Sequence, residues 1–260
     1  MREILSADNA AYRHLKRLCQ SGRERRKSGQ SVLDGMHLIT AYQERFGPVS
    51  EVYVSEGAWS RPEISQFLAL HPGLRQTRLS EKLFGELGLV DTPTGILALI
   101  PTPMAGELAD SRSDAVLLDG VQDPGNLGSI LRSAAAAGFR QVLLSPDCAQ
   151  AWSPKVLRAG QGAHFQTAIL ENQDLCAFLA SYAGKAAVTV LGARTSLFDA
   201  DLAGPVAWVF GSEGQGVRPA VQALADTPLA IPMPGGSESL NVAAAAAVCL
   251  FETVRQRRQA

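Results

Sequence analysis

A chain of 260 residues, 46% apolar and 19% charged, has material for one or two domains with a substantial core, which excludes a disordered polymer. Its formal net charge of −1 excludes a global attraction for nucleic acid, so any such contact must come from local patches. The four cysteines, Cys19, Cys148, Cys176 and Cys249, contain no Cys-x-x-Cys pair, which fits free thiols in a reducing cytosol and gives no metal site.

The N-terminus, Met1-Arg2-Glu3-Ile4-Leu5-Ser6-Ala7-Asp8, has no signal-peptide core. Residues 8–27 read as a basic helix followed by a loop, with Tyr12, Leu15, Leu18 and Cys19 at helical spacing. Around them stand Arg13, Lys16, Arg17, Arg23, Arg25, Arg26 and Lys27, seven cations in fifteen residues. Such a run is either a solvated helix face or a phosphate-contacting patch, and both readings stand here. Residues 31–35 form a strand and turn, 36–45 an amphipathic segment, and 49–55 a strand with Val52 and Val54 alternating. A helix over 62–70, a weak strand over 76–79, a helix over 80–87 capped by Ser80 and a closing strand over 92–100 complete the region. Strands alternating with helices make residues 1–100 a small α/β domain. His14, His37 and His71 show no metal-ligand spacing. Residues 101–112, rich in Pro and small polar residues, read as a linker to a second domain over 113–260.

The second half opens with a strand over 115–118, a Gly/Pro turn, a helix from Ile130 to a stop at Gly138, and a strand over 141–146, which is a βαβ unit. A helix starting at Pro154, a strand over 168–170, a helix over 175–182 and strands over 187–191, 207–210 and 229–233 follow. A long alanine-rich helix runs to about Arg257. Its apolar run, 242–251, is too short to span a bilayer, so a cytoplasmic protein without a membrane partner is expected.

Three Gly-rich loops, 120–128, 211–216 and 234–241, follow three apolar strands. Parallel strands end on one edge, where open α/β sheets bind ligands, so the loops are expected to converge there. Glycines there permit tight turns and close backbone approach to a ligand, and apolar positions such as Ile231 and Leu240 can sandwich an adenine. Neither 123–128 nor 211–216 is a Gly-x-Gly-x-x-Gly element opening an apolar helix, and no P-loop lysine is present, which argues against a dinucleotide or nucleoside-triphosphate site. Taken singly, Asn126 reads as a turn residue, Ser239 and Asn241 as helix N-caps and Arg132 as a surface helix residue. Together, beside Glu213, they suggest a site.

Asp123-Pro124-Gly125-Asn126-Leu127-Gly128-Ser129-Ile130-Leu131-Arg132, then Phe210-Gly211-Ser212-Glu213-Gly214 with Gly216, then Ile231-Pro232-Met233 and Ser239-Leu240-Asn241-Val242, resemble the three signature motifs of the SpoU/TrmH family. These are S-adenosylmethionine-dependent RNA ribose 2′-O-methyltransferases of the SPOUT class. The resemblance is strong over residues 113–258 and weaker over 1–100, which are similar to the family's RNA-binding N-terminal domain. It implies an α/β chain whose C-terminal SPOUT domain holds a deep trefoil knot, preceded by a small α/β RNA-binding domain. It also implies an obligate homodimer with active-site residues drawn from both subunits. Carried over by position, Gly211, Ile231 and Leu240, with Phe210 and Met233 beside them, bind the cofactor, and Asn126, Arg132, Glu213, Ser239 and Asn241 are the functional side chains.

A ribose 2′-hydroxyl is a poor nucleophile until its proton is lost or shared, so such an enzyme must align oxygen, methyl and sulfur and favour the alkoxide. An arginine stays charged in proteins, so Arg132 is expected to grip a phosphate and stabilise charge on the 2′-oxygen rather than act as a free base. Asn126 would position the ribose, Glu213 hold the loops, and Ser239 and Asn241 cap the last helix. Ribosomal RNA is the expected substrate, with transfer RNA, or a non-catalytic RNA-binding role on the same fold, as alternatives.

Overall fold

The computed structural model describes residues 2–88, 94–104, 109–236 and 238–258. The chain divides into two compact units, residues 1–104 with 152–165, and residues 105–151 with 166–260.

The first unit contains β1 (Arg2–Ile4), α1 (Ala10–Gln20), α2 (Gly22–Ser28), β2 (Gln30–Asp34), α3 (Met36–Phe46), β3 (Glu51–Ser55), α4 (Pro62–Leu70), β4 (Arg75–Leu79), α5 (Glu81–Gly85) and β5 (Ile96–Pro101). Its sheet runs β1-β4-β3-β5-β2. β4 is parallel to β1 and β3, and β5 is antiparallel to β3 and β2. Asn9 opens α1 by accepting the Ala11 N–H, and Tyr12, Leu15 and Leu18 then face the core. The Tyr12 hydroxyl finds its partner inside that core, donating to Leu83 O at 2.8 Å. Residues Thr92 and Pro93 of the expected closing strand lie outside the described residues.

The loop expected after α1 is a second helix. Ser21 ends α1 with its own N–H on Arg17 O, and its hydroxyl accepts the Glu24 N–H that opens α2. This turn corrects one of the seven candidate phosphate contacts. Arg25 is only 7% exposed, and its Nη1 donates to Leu18 O at 2.7 Å and Cys19 O at 3.4 Å. The last carbonyls of a helix have no intrahelical donor and lie at the negative end of its dipole, so the guanidinium is drawn inward to cap α1.

The second unit contains β6 (Ala115–Asp119), α6 (Pro124–Ala137) and β7 (Gln141–Leu144). After α7 (Pro154–Gly160) it continues with β8 (Ala168–Leu170), α8 (Leu175–Ser181), β9 (Lys185–Thr189), β10 (Thr195–Ser196), β11 (Val206–Gly211), α9 (Pro219–Gln222), β12 (Thr227–Ala230) and α10 (Val242–Arg257). Its seven strands run β10-β12-β9-β11-β6-β7-β8, every pair parallel. The central strands are buried on both faces, which explains their unbroken apolar runs. Ala207 and Val209 share one face with Val188 and with Phe178 and Leu179 of α8. Trp208 points to the other face, where its indole N–H donates to Thr253 Oγ1 of α10 at 3.1 Å. α10 also packs against α6.

The sequence reading runs the second domain unbroken from 113 to 260. The contacts instead group residues 152–165 with the first unit. The reason is apolar: Val156 and Leu157 of α7 are fully buried, α7 packs on β2, and Phe165 meets Tyr42 of α3 edge-on at 5.5 Å. Of the expected linker, residues 105–108 lie outside the described residues.

Candidate functional site

In the second unit, the C-terminal ends of β6, β9, β11 and β12 share one edge because their pairings are all parallel. Beyond that edge lies a cavity of about 650 Å³, within the size range of small-molecule sites. Phe210, Gly211, Ile231, Met233 and Leu240 line it, together with the polar Glu213, Ser239 and Asn241.

The loop after β11 owes its shape to one glycine. A Cβ on Gly211 would lie 2.0 Å from Gly216 C and 2.2 Å from Val217 N, closer than any real contact. The loop folds back on itself there, with the Ser212 N–H on Gly216 O at 3.1 Å and the Gly216 N–H on Ser212 O at 2.9 Å. Its far end is latched to β6. The Arg218 N–H donates to Asp119 Oδ2 at 2.8 Å and Arg218 Nε to Oδ1 at 2.7 Å, on a carboxylate side chain only 1% exposed. The wall formed by the segment after β12 offers backbone donors: the N–H groups of Ile231 and Leu240 meet no acceptor among the described residues.

α6 carries the first loop's polar group. Asp123 caps this helix by accepting the Asn126 N–H at 2.7 Å, Pro124 occupies the first turn, and Gly138 closes it at φ +85°. That cap sets Asn126 in the first turn, half-buried. Asn126 Nδ2 donates to Glu213 Oε1 of the second loop, and Asn126 Oδ1 accepts from Asn241 Nδ2 of the third at 2.9 Å. Asn241 in turn caps α10, its Oδ1 accepting the N–H groups of Ala243 at 2.9 Å and Ala244 at 3.3 Å. The cap orients every amide in the series. With Asn241 Oδ1 on the helix, its Nδ2 must face Asn126 Oδ1, and Asn126 Nδ2 must then face an acceptor, which Glu213 supplies.

Ser239 does not share the capping role that the sequence reading gave it with Asn241. It is exposed at the cavity and makes no hydrogen bond among the described residues. Arg132 is exposed further along α6, outside the cavity lining, and makes no hydrogen bond or ion pair among the described residues. Six residues after Asn126 on a helix of 3.6 residues per turn, it points about 120° away from it. The structure therefore gathers Asn126, Glu213, Ser239 and Asn241 but leaves Arg132 apart within one chain.

Sequence reasoning missed the wall contributed by Thr189, Leu191 and Gly192. The available signal was topological, since β9 lies between β11 and β12 and must end at the same edge. Cys148 offers no nucleophile to this unit: burial pushes its thiol up, and its Sγ donates to Leu118 O at 3.1 Å. In the first unit, Arg13, Arg17, Arg23, Arg26 and Lys27 are exposed. Arg17 pairs loosely with Glu24 at 3.7 Å, and Lys16 reaches Glu86 at 3.3 Å.

Residues 114–251 match the model of the SpoU rRNA methylase family. The chain is 32% identical to the 23S rRNA (guanosine(2553)-2′-O)-methyltransferase RlmP of Bacillus subtilis, over 96% of this chain and 98% of that one. It superposes on a crystal structure of an RNA 2′-O ribose methyltransferase with a TM-score of 0.84 and 30% identity, covering 98% of this chain and 99% of that chain. It superposes equally, TM-score 0.84 at 26% identity, on the SpoU methyltransferase AviRb of Streptomyces viridochromogenes in complex with AdoMet, covering 96% of this chain and 98% of that chain.

Proposed function

The chain belongs to the SpoU rRNA methylase family, and on that premise we propose how its second unit transfers a methyl group from S-adenosylmethionine to a ribose 2′-hydroxyl of ribosomal RNA. The observation that carries the reading is the hydrogen-bonded series Asn241–Asn126–Glu213, which ties the first loop to the two that line the cavity. Ribosomal RNA is preferred as substrate because the similarity to a 23S rRNA enzyme extends over both units.

The cavity fits the cofactor. Its apolar walls at Ile231 and Leu240 suit an adenine, the N–H groups of those residues, without an acceptor among the described residues, suit the ring's acceptors, and the folded-back Gly211–Gly216 segment brings backbone close. S-adenosylmethionine supplies a methyl group already activated on a sulfonium, so the protein's task is to orient and activate the ribose oxygen. Asn126 retains one N–H and one lone pair beyond its two bonds, enough to orient a ribose hydroxyl. Glu213 orients Asn126, and Ser239 presents a free hydroxyl to the cavity. Arg132 grips a neighbouring phosphate and stabilises charge growing on the 2′-oxygen.

Because Arg132 points away from Asn126 and makes no bond to the Asn241–Asn126–Glu213 series among the described residues, the reading assigns it to the site of a second copy in a homodimer. An exposed apolar stripe on α10 supports such a dimer: Val248 and Phe251, three residues apart, are 36% and 48% exposed. The second unit threads as a trefoil knot, the first unit with its exposed cations is the RNA-binding domain, and the protein works in the cytoplasm. Among the described residues, no helix is long and apolar enough to cross a membrane.

Calorimetric titration with S-adenosylhomocysteine, paired with methyl transfer to unmodified ribosomal and transfer RNA, tests the reading. Cofactor binding with transfer to ribosomal RNA supports it; transfer to transfer RNA alone reassigns the substrate, and no cofactor binding refutes it.

A further inference from the structure

The first unit contains a cavity of about 360 Å³ that the reaction does not use. It lies between the start of α3, the start of α4, Thr94 and α7, all within that unit. Its polar groups are of both kinds. α3 is an 11-residue helix with no side-chain cap, so the N–H groups of Met36, His37 and Leu38 have no acceptor among the described residues. Asp34 lines the same cavity, and its side chain is 2% exposed. Thr94 Oγ1 holds Asp34 Oδ1 at 2.5 Å, while Oδ2 accepts no hydrogen bond among the described residues. Oδ2 is ion-paired with Arg158 Nη1 at 3.6 Å. Arg61 is fixed at the rim by donating from Nη1 to Thr94 O at 2.8 Å. Leu38, Ile64 and Ile96 supply apolar walls.

Charge decides what such a cavity takes. Asp34 and Glu63 offset Arg61 and Arg158, so a phosphate would meet two carboxylates and gain little. A planar ring with a donor beside an acceptor on one edge satisfies both the carboxylate and the helix amides. We propose that this cavity receives one unstacked nucleobase of the RNA, of the kind that carries a ring N–H next to a carbonyl, namely uracil or guanine. The ring N–H donates to Asp34 and the carbonyl accepts from the α3 amides, while the guanidinium planes of Arg61 and Arg158 flank the ring, as arginines do for splayed bases. Cytosine and adenine present a bare ring nitrogen to Asp34 and are refused. The proposal rests on the first unit being the RNA-binding domain, and it gives that unit a base preference that phosphate contacts alone cannot supply.

The test uses the full chain and single-stranded oligouridylate and oligocytidylate of equal length, compared by fluorescence anisotropy at one salt concentration. Uracil and cytosine have the same ring size and opposite edges. The wild type should bind oligouridylate roughly tenfold more tightly. Glu63→Trp, at an exposed rim position, should abolish the preference while leaving S-adenosylhomocysteine binding intact. Asp34→Asn keeps the Thr94 bond but turns a donor toward the cavity, so the preference should swing to oligocytidylate. Equal binding of both oligomers by the wild type overturns the proposal, as does a uracil preference that survives both substitutions. A wild type that binds S-adenosylhomocysteine but neither oligomer would refute the RNA-binding role of the first unit as well.

Discussion

Asn241 Nδ2 donates to Asn126 Oδ1 at 2.9 Å, joining residues 115 positions apart in the chain. Because Asn241 is held as the α10 cap, this bond fixes which way the Asn126 amide faces, and the Asn126 N–H then needs an acceptor. Glu213 is that acceptor, and the proposed site uses it as an orienting group rather than a base. Glu213→Gln, which keeps an acceptor oxygen, should retain single-turnover methylation within roughly fivefold of wild type, whereas Glu213→Ala should lose about tenfold or more by leaving the amide unpaired. Equal inactivity of the two variants would indicate that Glu213 accepts the proton.

Gly211→Ala tests the cofactor loop. Its new methyl group would collide with backbone at 2.0 Å, which no side-chain rotation can relieve. The loop between Gly211 and Arg218 must open, and S-adenosylhomocysteine affinity measured by calorimetry should fall by roughly a hundredfold, the scale of a misplaced set of contacts. Unchanged affinity would place the cofactor elsewhere.

Arg132→Ala should abolish methyl transfer and leave S-adenosylhomocysteine affinity within about twofold, since the side chain is asked to act on the transition state alone. Mixing Arg132→Ala chains with Gly211→Ala chains separates the two arrangements of the site. If Arg132 serves its partner's cavity, one site of each mixed dimer contains both intact parts, and activity returns. If it serves its own, the mixture stays dead.

A pH experiment tests the setting of Asp34. Burial raises its carboxyl above the ordinary value of 3.8, and the Thr94 bond and Arg158 offset this only in part. The folded state therefore holds the Asp34 proton more readily than the unfolded state. Stability falls as pH rises from the ordinary value through the raised one, and stays at the lower level beyond it. Asp34→Asn removes this dependence and should melt at a higher temperature than wild type at neutral pH, with the gap closing in acid. A variant that melts lower at neutral pH would show that Arg158 stabilises the charged form after all.

The parts of this arrangement legible in the sequence were those that local chemistry dictates. Asp123, Pro124 and Gly138 announce the ends of α6, and apolar runs ending in Gly-rich segments announce parallel strands with loops on one edge. The inward turn of Arg25 has no such signal, because a charge run does not tell which member turns inward to cap a neighbouring helix. Placing residues 152–165 with the first unit depends on Val156 and Leu157 finding β2, a long-range pairing with no local signature. The same applies to the wall at Thr189 and Leu191, which only strand order reveals. The burial of Asp34 beside Thr94 likewise depends on a long-range contact with no local signature.

The central claim is that the protein places a methyl group on a ribose 2′-oxygen of RNA. A 2′-O-methyl group removes the neighbouring nucleophile that alkali needs to cleave the chain. Ribosomal RNA from cells lacking the protein, incubated with it and radiolabelled S-adenosylmethionine and then hydrolysed in alkali, should carry the label in an alkali-resistant dinucleotide. Label recovered in mononucleotides would put the methyl group on a base and contradict the account.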